Sequence, residues 1–229
     1  ATLVPPIGSM ISDFIIGFTV DQKQTIYSNN SCGPSLLPSI SRMINLPKER
    51  LIWHLGMFFH ISLRPMIIYF YFKKSLLFSN SRNLLSTLLS YSILFSGTSE
   101  LIFTVSLTVI GERENGNIHM IFFIGFIISF FFYIQSTTVS TYISKVKNPS
   151  NKNLKNSILI KFLLLSLIIL LIPLITLCFT FYYIYCTKNA YNFFAFFEYC
   201  TVFSIFGFHS TSILDHNNLQ CIIITSKRK

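Results

Sequence analysis

Long apolar runs, each at least as long as a bilayer is thick, follow one another through most of this chain, and four ionisable residues sit deep inside them: His60, Arg64, Glu100 and Glu198. A helix needs about 20 apolar residues to cross the hydrocarbon layer, so these runs are too long for the core helices of a water-soluble fold. A charge at the centre of a spanning helix costs about 2.5–3.5 kcal/mol even on lenient insertion scales. A chain carrying charges of both signs there pairs them inside a helix bundle, either as packing glue or as a working site. Composition agrees, with 52% hydrophobic and 11% charged residues against about a quarter charged in ordinary soluble domains. The fold class expected is therefore all-α, a polytopic membrane protein.

Six spans are read, at about 1–19, 51–72, 84–109, 118–143, 158–185 and 190–214, forming a single membrane domain with a long loop over 20–50. The first is the weakest, because it contains Pro5, Pro6, Gly8 and Asp13. Ala1 stands where a Met would start a chain, so the numbering is read as beginning after a removed or missing segment. The net charge of +10 is not a nucleic-acid footprint, since most Lys and Arg fall in short connectors. The connectors 73–83 and 144–161 and the tail 215–229 carry eleven of them, against six on the opposite side. The positive-inside rule puts the richer side, and with it both termini, in the cytosol. Loop 20–50 is then lumenal. It holds the glycosylation sequon at Asn29 and one cysteine, Cys32, whose pairing with the lumenal Cys186 and whose independence are equally open. Cys178, Cys200 and Cys221 read as small apolar fillers.

At 1.5 Å per residue, His60 lies about 14 Å and Arg64 about 20 Å below the lumenal surface, with Glu100 at about 14 Å and Glu198 at about 12 Å. Three spans thus bring a His, an Arg and two carboxylates into one layer. His60 and Arg64 share a helix face, and Glu100 is placed to accept a bidentate hydrogen bond from Arg64. Pro65 is expected to loosen the helix there. In the functional reading this is a polar pocket for a lipid headgroup or ester, with His60 as general base oriented by Glu100 or Glu198 and Arg64 holding phosphate or an acyl donor. In the packing reading the same residues fix the helices. A shallower set, His119 on the lumenal side and His209 with Asp215 on the cytosolic side, is expected near the interfaces, as further candidates for lipid contact. Trp53 and the Tyr-rich 182–185 stretch read as aromatic-belt residues. His54 and His60 point to different faces and no Cys/His cluster has ligand spacing, so neither a metal nor a cofactor is expected. The segment from Cys32 to Leu46 mixes Ser, Pro and apolar residues, and reads as a surface-lying lid above His60 and Glu100 or as a plain tethered loop.

Cys32-Gly33-Pro34, Leu37-Pro38-Ser39-Ile40-Ser41, Arg50-Leu51-Ile52-Trp53 and His60 with Arg64 resemble the opening half of a known family. Glu100, Ile118-His119, Cys186, Phe197-Glu198-Tyr199, Phe208-His209 and Asp215 continue the resemblance in order and spacing over nearly the whole chain. The family contains the post-GPI-attachment factors, the damage-regulated autophagy modulators and the N-terminal domain of the yeast protein that remodels GPI lipids to ceramide. The resemblance implies a role in GPI-anchor lipid remodelling in the Golgi or endoplasmic reticulum membrane, with membrane lipids and GPI-anchored proteins as partners. It leaves open whether such a chain is itself an acyltransferase or accompanies an acyltransferase subunit. A non-catalytic scaffold, an autophagy-modulator-like protein and, more remotely, a small channel or transporter are the alternatives. No nucleophile motif, Gly-rich phosphate loop or His-x4-Asp motif is present in the sequence.

Overall fold

The computed structural model describes residues 3–26, 36–78, 84–147 and 149–216. Asn29, Cys32 and Cys221 lie outside the described residues, so the glycosylation and disulfide expectations are not addressed by it. The described residues are helical, with no strand among them: α1 (Val4–Thr19), α2 (Gln22–Ile26), α3 (Ile40–Met43), α4 (Pro47–Phe78), α5 (Leu84–Val109), α6 (Gly116–Lys147), α7 (Lys152–Tyr185), α8 (Lys188–Ser210) and α9 (Ser212–His216). Among the described residues, five stretches are long and apolar enough to cross a membrane: Pro47–Leu77, Leu84–Val109, Gly116–Lys147, Lys152–Tyr185 and Asn189–Asp215. Their outward faces are apolar, as a lipid-facing surface requires. Leu85 is 83% exposed and Phe95 76% exposed, although neither would be tolerable in such numbers in water.

The elements start and stop where local chemistry dictates. Asn151 caps α7 by accepting from the Asn153 and Leu154 amides at 3.0 and 3.3 Å, which supplies partners for two of the first-turn N–H groups. Cys186 ends α7 in a left-handed conformation with φ 47°. Pro5 and Pro6 open α1, where their missing N–H groups cost nothing. Pro65 and Pro173 lie within α4 and α7 on exposed faces, and both helices continue through them. At 16 residues α1 is about 24 Å long, shorter than the hydrocarbon layer. It lies against α4, yet turns Ile11 and Ile15 outward.

Two glycines allow close approaches. A Cβ at Gly56 would meet the Ser9 side chain and lie 2.9 Å from the Pro5 carbonyl, so Gly56 lets α1 sit on α4. A Cβ at Gly97 would lie 2.9 Å from the Tyr133 ring and 3.1 Å from Ile68, so α5 reaches the centre of the bundle there. That centre is built from Ile68, Tyr71, Ile93, Phe130, Tyr133, Ile134, Ile168 and Phe208. A second cluster joins Met10, Ile40, Trp53, Met57, Ala195 and Tyr199. Trp53, expected in an aromatic belt, is buried within it. Tyr182 likewise turns inward against Tyr191, while Tyr183 and Tyr185 remain exposed.

Candidate functional site

A cavity of about 140 Å³ lies between α4, α5, α6, α8 and the 40–44 segment. Trp53, Met57, Leu107, Phe123, Phe126, Val202, Ile205 and Phe206 give it apolar walls, and His60, Glu100, His119, Glu198 and His209 are the ionisable groups on its lining. Its shape and chemistry suit a molecule that is mostly hydrocarbon with one polar junction.

The polar centre forms where His60 and Arg64 of α4, Glu100 of α5 and His209 of α8 come together. Arg64 is 1% exposed and its Nη2 donates to Glu100 Oε2. Its Nη1 lies 2.8 Å from His209 Nδ1. The expected bidentate Arg64–Glu100 bond is therefore not what forms: the guanidinium is shared between a carboxylate and an imidazole. A guanidinium has no acceptor atom, so His209 Nδ1 must offer its lone pair and the ring carries its proton on Nε2. That nitrogen faces Glu100 Oε1 at 3.6 Å. Arg64, Glu100 and His209 thus form a closed triangle that fixes one imidazole tautomer, with the guanidinium 5.4 Å over the Tyr133 ring. The His60 ring sits 5.9 Å from that of His209. His209, which the sequence suggested as a cytosolic-side interfacial residue, belongs to this centre, because α8 carries it inward to face Arg64. Arg64 does not line the cavity, whereas its partners Glu100 and His209 do.

Glu198 plays a different part from the one expected. It accepts from the Ile40 amide at 2.9 Å, from Ser41 Oγ at 3.1 Å and from the Ser41 amide at 3.4 Å. These partners lie on the 36–44 segment, and none is a histidine. The neighbouring residues of α8 bind the same segment. Tyr199 donates to the Pro38 carbonyl at 2.6 Å, Tyr191 donates to Ser39 Oγ at 3.0 Å, and Asn192 Oδ1 accepts from the Leu36 and Leu37 amides, each at 3.1 Å. Ser39 also caps α3 by accepting from the Arg42 amide at 3.3 Å. The 36–44 segment is therefore latched to α8 through its backbone, and Ile40, Ser41 and Ile44 close one wall of the cavity.

His119 lines the cavity from α6, its Nδ1 2.8 Å from the Ile110 carbonyl. In the connector between α5 and α6, Glu114 Oε1 accepts from Nη1 of Arg50, in the first turns of α4, at 2.6 Å. That bond, together with the Gly111 amide, holds the Glu114 carboxyl below its ordinary range. Asp215 is remote from the cavity. It is fully buried and pairs with Lys161, accepts from Tyr71 at 2.6 Å, and has Lys74 close to its carbonyl at 3.5 Å. Lys161 also donates to Thr141 Oγ1 at 3.0 Å. Lys74 and Lys161 looked like connector charges, yet both are buried. Lys161 is flanked by Ile160 and Phe162 within an apolar run, and that placement was the available signal.

The chain matches the family model described as Frag1/DRAM/Sfk1/Cwh43P N-terminal domain over residues 1–219. It is 25% identical over 234 residues to "Post-GPI attachment to proteins factor 2-like" of Drosophila melanogaster, an alignment that takes in 100% of this chain and 71% of that protein. No solved structure matches it. The chain belongs to the Frag1/DRAM/Sfk1/Cwh43P N-terminal-domain family.

Proposed function

We propose that this protein supports the maturation of GPI-anchored proteins by acting on the lipid part of the anchor. The observation that carries this reading is the cavity, whose apolar walls end at a buried His60–His209–Arg64–Glu100 centre. An acyl chain would lie along the walls and its ester or free hydroxyl would meet His60. In the catalytic form, His60 takes the proton of the lyso-lipid hydroxyl as that oxygen attacks the carbonyl carbon of an acyl donor. The new ester bond forms, the bond from that carbon to the donor's alcohol or thiol breaks, and His60 returns the proton to the departing group. The Arg64–Glu100–His209 triangle positions the site from behind. Loop 20–50 faces the lumen of the Golgi or endoplasmic reticulum, α1 is the sixth membrane-embedded element, and both termini are cytosolic. Asn29 carries a glycan and Cys32 pairs with Cys186, tying the latched segment to the end of α7.

A second reading is an accessory protein that presents the lipid to an acyltransferase subunit. It is favoured by the position of Arg64, which is paired with Glu100 and His209 and does not line the cavity.

The test is expression in cells lacking their own family member, followed by mass spectrometry of the fatty acids on surface GPI-anchored proteins. The wild-type chain is expected to restore saturated chains, and His60→Ala to abolish that restoration at unchanged abundance. A loss of abundance that parallels the loss of remodelling would make His60 a packing residue. Acyl transfer by the purified chain from an acyl donor to a lyso-anchor distinguishes the catalytic reading from the accessory one.

A further inference from the structure

Two carboxylates stand apart from both polar centres. Asp13, midway along α1, and Glu49, in the first turn of α4, are fully buried. None of their four oxygens has a hydrogen-bond partner among the described residues. The other buried carboxylates are each engaged: Glu100 by Arg64, Glu198 by the Ile40 and Ser41 amides, and Asp215 by Lys161 and Tyr71. Burying two ionised carboxylates near one another with no donor is among the costliest arrangements a fold can contain.

The surroundings of the two point at one place. Asp13 and Gly17 are one turn apart on the same face of α1. A Cβ at Gly17 would lie 3.6 Å from Glu49 Oε1 and 3.5 Å from Thr25 Oγ1, so a carboxylate oxygen and a hydroxyl oxygen converge over this glycine. Thr25 is fully buried, and its hydroxyl proton is directed to the Gly17 and Asp21 carbonyls at 3.0 and 2.9 Å, which turns its lone pairs outward. Glu49 is the charge that acts on Asp13. Of the nearby basic residues, Lys48 pairs with Asp21 at 3.1 Å and Arg113 donates to the Gln24 carbonyl at 3.2 Å, so neither is hydrogen-bonded to Asp13 or Glu49.

We propose that Asp13 and Glu49, with Thr25 Oγ1 as a third ligand, hold a hard divalent cation of the calcium or magnesium class between α1, α2 and the start of α4. An all-oxygen donor set with two carboxylates suits these ions and not zinc or copper. The ion would neutralise both charges and tie α1 to α4. Met10 of α1 packs in one cluster with Ile40 and Trp53, so the ion would also steady the floor beneath the latched segment.

Trp53 supplies the probe. It is the single tryptophan of the chain and lies one turn beyond Glu49 on the same face of α4. The purified full chain in detergent, stripped with a chelator, is titrated with terbium ion, exciting at the tryptophan band. Sensitised terbium emission that calcium competes away is expected, together with a calcium-dependent rise in melting temperature of several degrees. The isosteric pair Asp13→Asn and Glu49→Gln is expected to lose both responses while matching or exceeding the chelated wild type in stability. Wild-type protein with neither response overturns the proposal, whatever the variant does. So does terbium emission that survives the double substitution, which would place the ion elsewhere. Stabilisation on acidification with no response to calcium also overturns it, since the carboxylates would then share a proton instead.

Discussion

Releasing the latch at Glu198 is the sharpest test of how the cavity is closed. Glu198→Ala removes the acceptor for the Ile40 amide and for Ser41 Oγ, the two shorter of its three bonds at 2.9 and 3.1 Å. A hydrogen bond to a charged acceptor contributes about 1.5–3 kcal/mol, and a buried N–H left without a partner adds to the loss. Water admitted to the truncated site restores part of it. A net cost of about 3 kcal/mol for local opening is the expected balance, or about two powers of ten in the open population. The Tyr199–Pro38, Tyr191–Ser39 and Asn192–Leu36 bonds remain, so the segment should open more often without detaching. Amide hydrogen exchange of nanodisc-embedded protein reads this directly. Exchange over 36–44 should accelerate about 100-fold in Glu198→Ala, by less in Glu198→Gln, which keeps one acceptor, and not at all in the middle of α5. Unchanged exchange at Ile40 and Ser41 in the alanine variant would refute the latch. So would acceleration spread evenly over all the helices, which would make Glu198 a general packing residue.

Arg64→Ala should cost about 3–5 kcal/mol because it strands Glu100 in the bundle, and adding Glu100→Ala should recover part of that rather than add to it; detergent melting of the single and double variants measures the coupling. Asp215→Asn should lower the melting temperature more than Lys161→Met does, because it leaves both Lys74 and Lys161 buried without a carboxylate. Gly97→Ala should cost about 1–3 kcal/mol by driving a methyl into the Tyr133 ring 2.9 Å away, whereas Gly8→Ala, with open space around it, should cost nothing measurable by the same assay. The clip between Arg50 and Glu114 lowers the carboxyl's proton affinity on folding, so its contribution is present above the ordinary glutamate range and fades as the pH falls through it; Glu114→Gln should remove that part of the acid dependence of the melting temperature.

How much of this was legible follows from particular residues. The apolar run 84–109 is α5 with those same bounds, because its Ser and Thr hydroxyls bond back to carbonyls one turn earlier, as Ser90, Ser96 and Thr104 do, and leave the helix unbroken. The start of α4 reaches back to Pro47, through Lys48, Glu49 and Arg50, whose charges look like a loop but form a helical first turn with Glu49 turned inward. The start of α7 is at Lys152, where the Asn151 cap was a readable signal masked by the Lys- and Asn-rich composition. Four ionisable residues drew attention because they sit mid-run. Asp13, Lys74 and Lys161 did not, and His209 was assigned to an interface, because distance from a run's end says nothing about whether a side chain faces the bundle or the interface. Arg64 and Glu100 could be paired by depth alone. The turn of Glu198 toward the 36–44 backbone depends on a tertiary contact across more than 150 residues, which no spacing encodes.

Tyr71 lies seven residues beyond Arg64 on α4, so the two buried ionic centres are separated by about 10 Å. The Tyr133 and Phe208 rings stand between them at 5.8 Å, with Phe130 packed on Phe208 at 5.4 Å and Tyr71 meeting Tyr133 edge-on at 6.4 Å. A bundle that carries charge at two successive depths is halfway to a conducting path. These rings act as a dielectric septum, a largely apolar aromatic layer between the two charged levels. The upper centre is therefore where the cavity ends, with Glu100 and His209 on its lining and the Lys161–Asp215 pair beyond it.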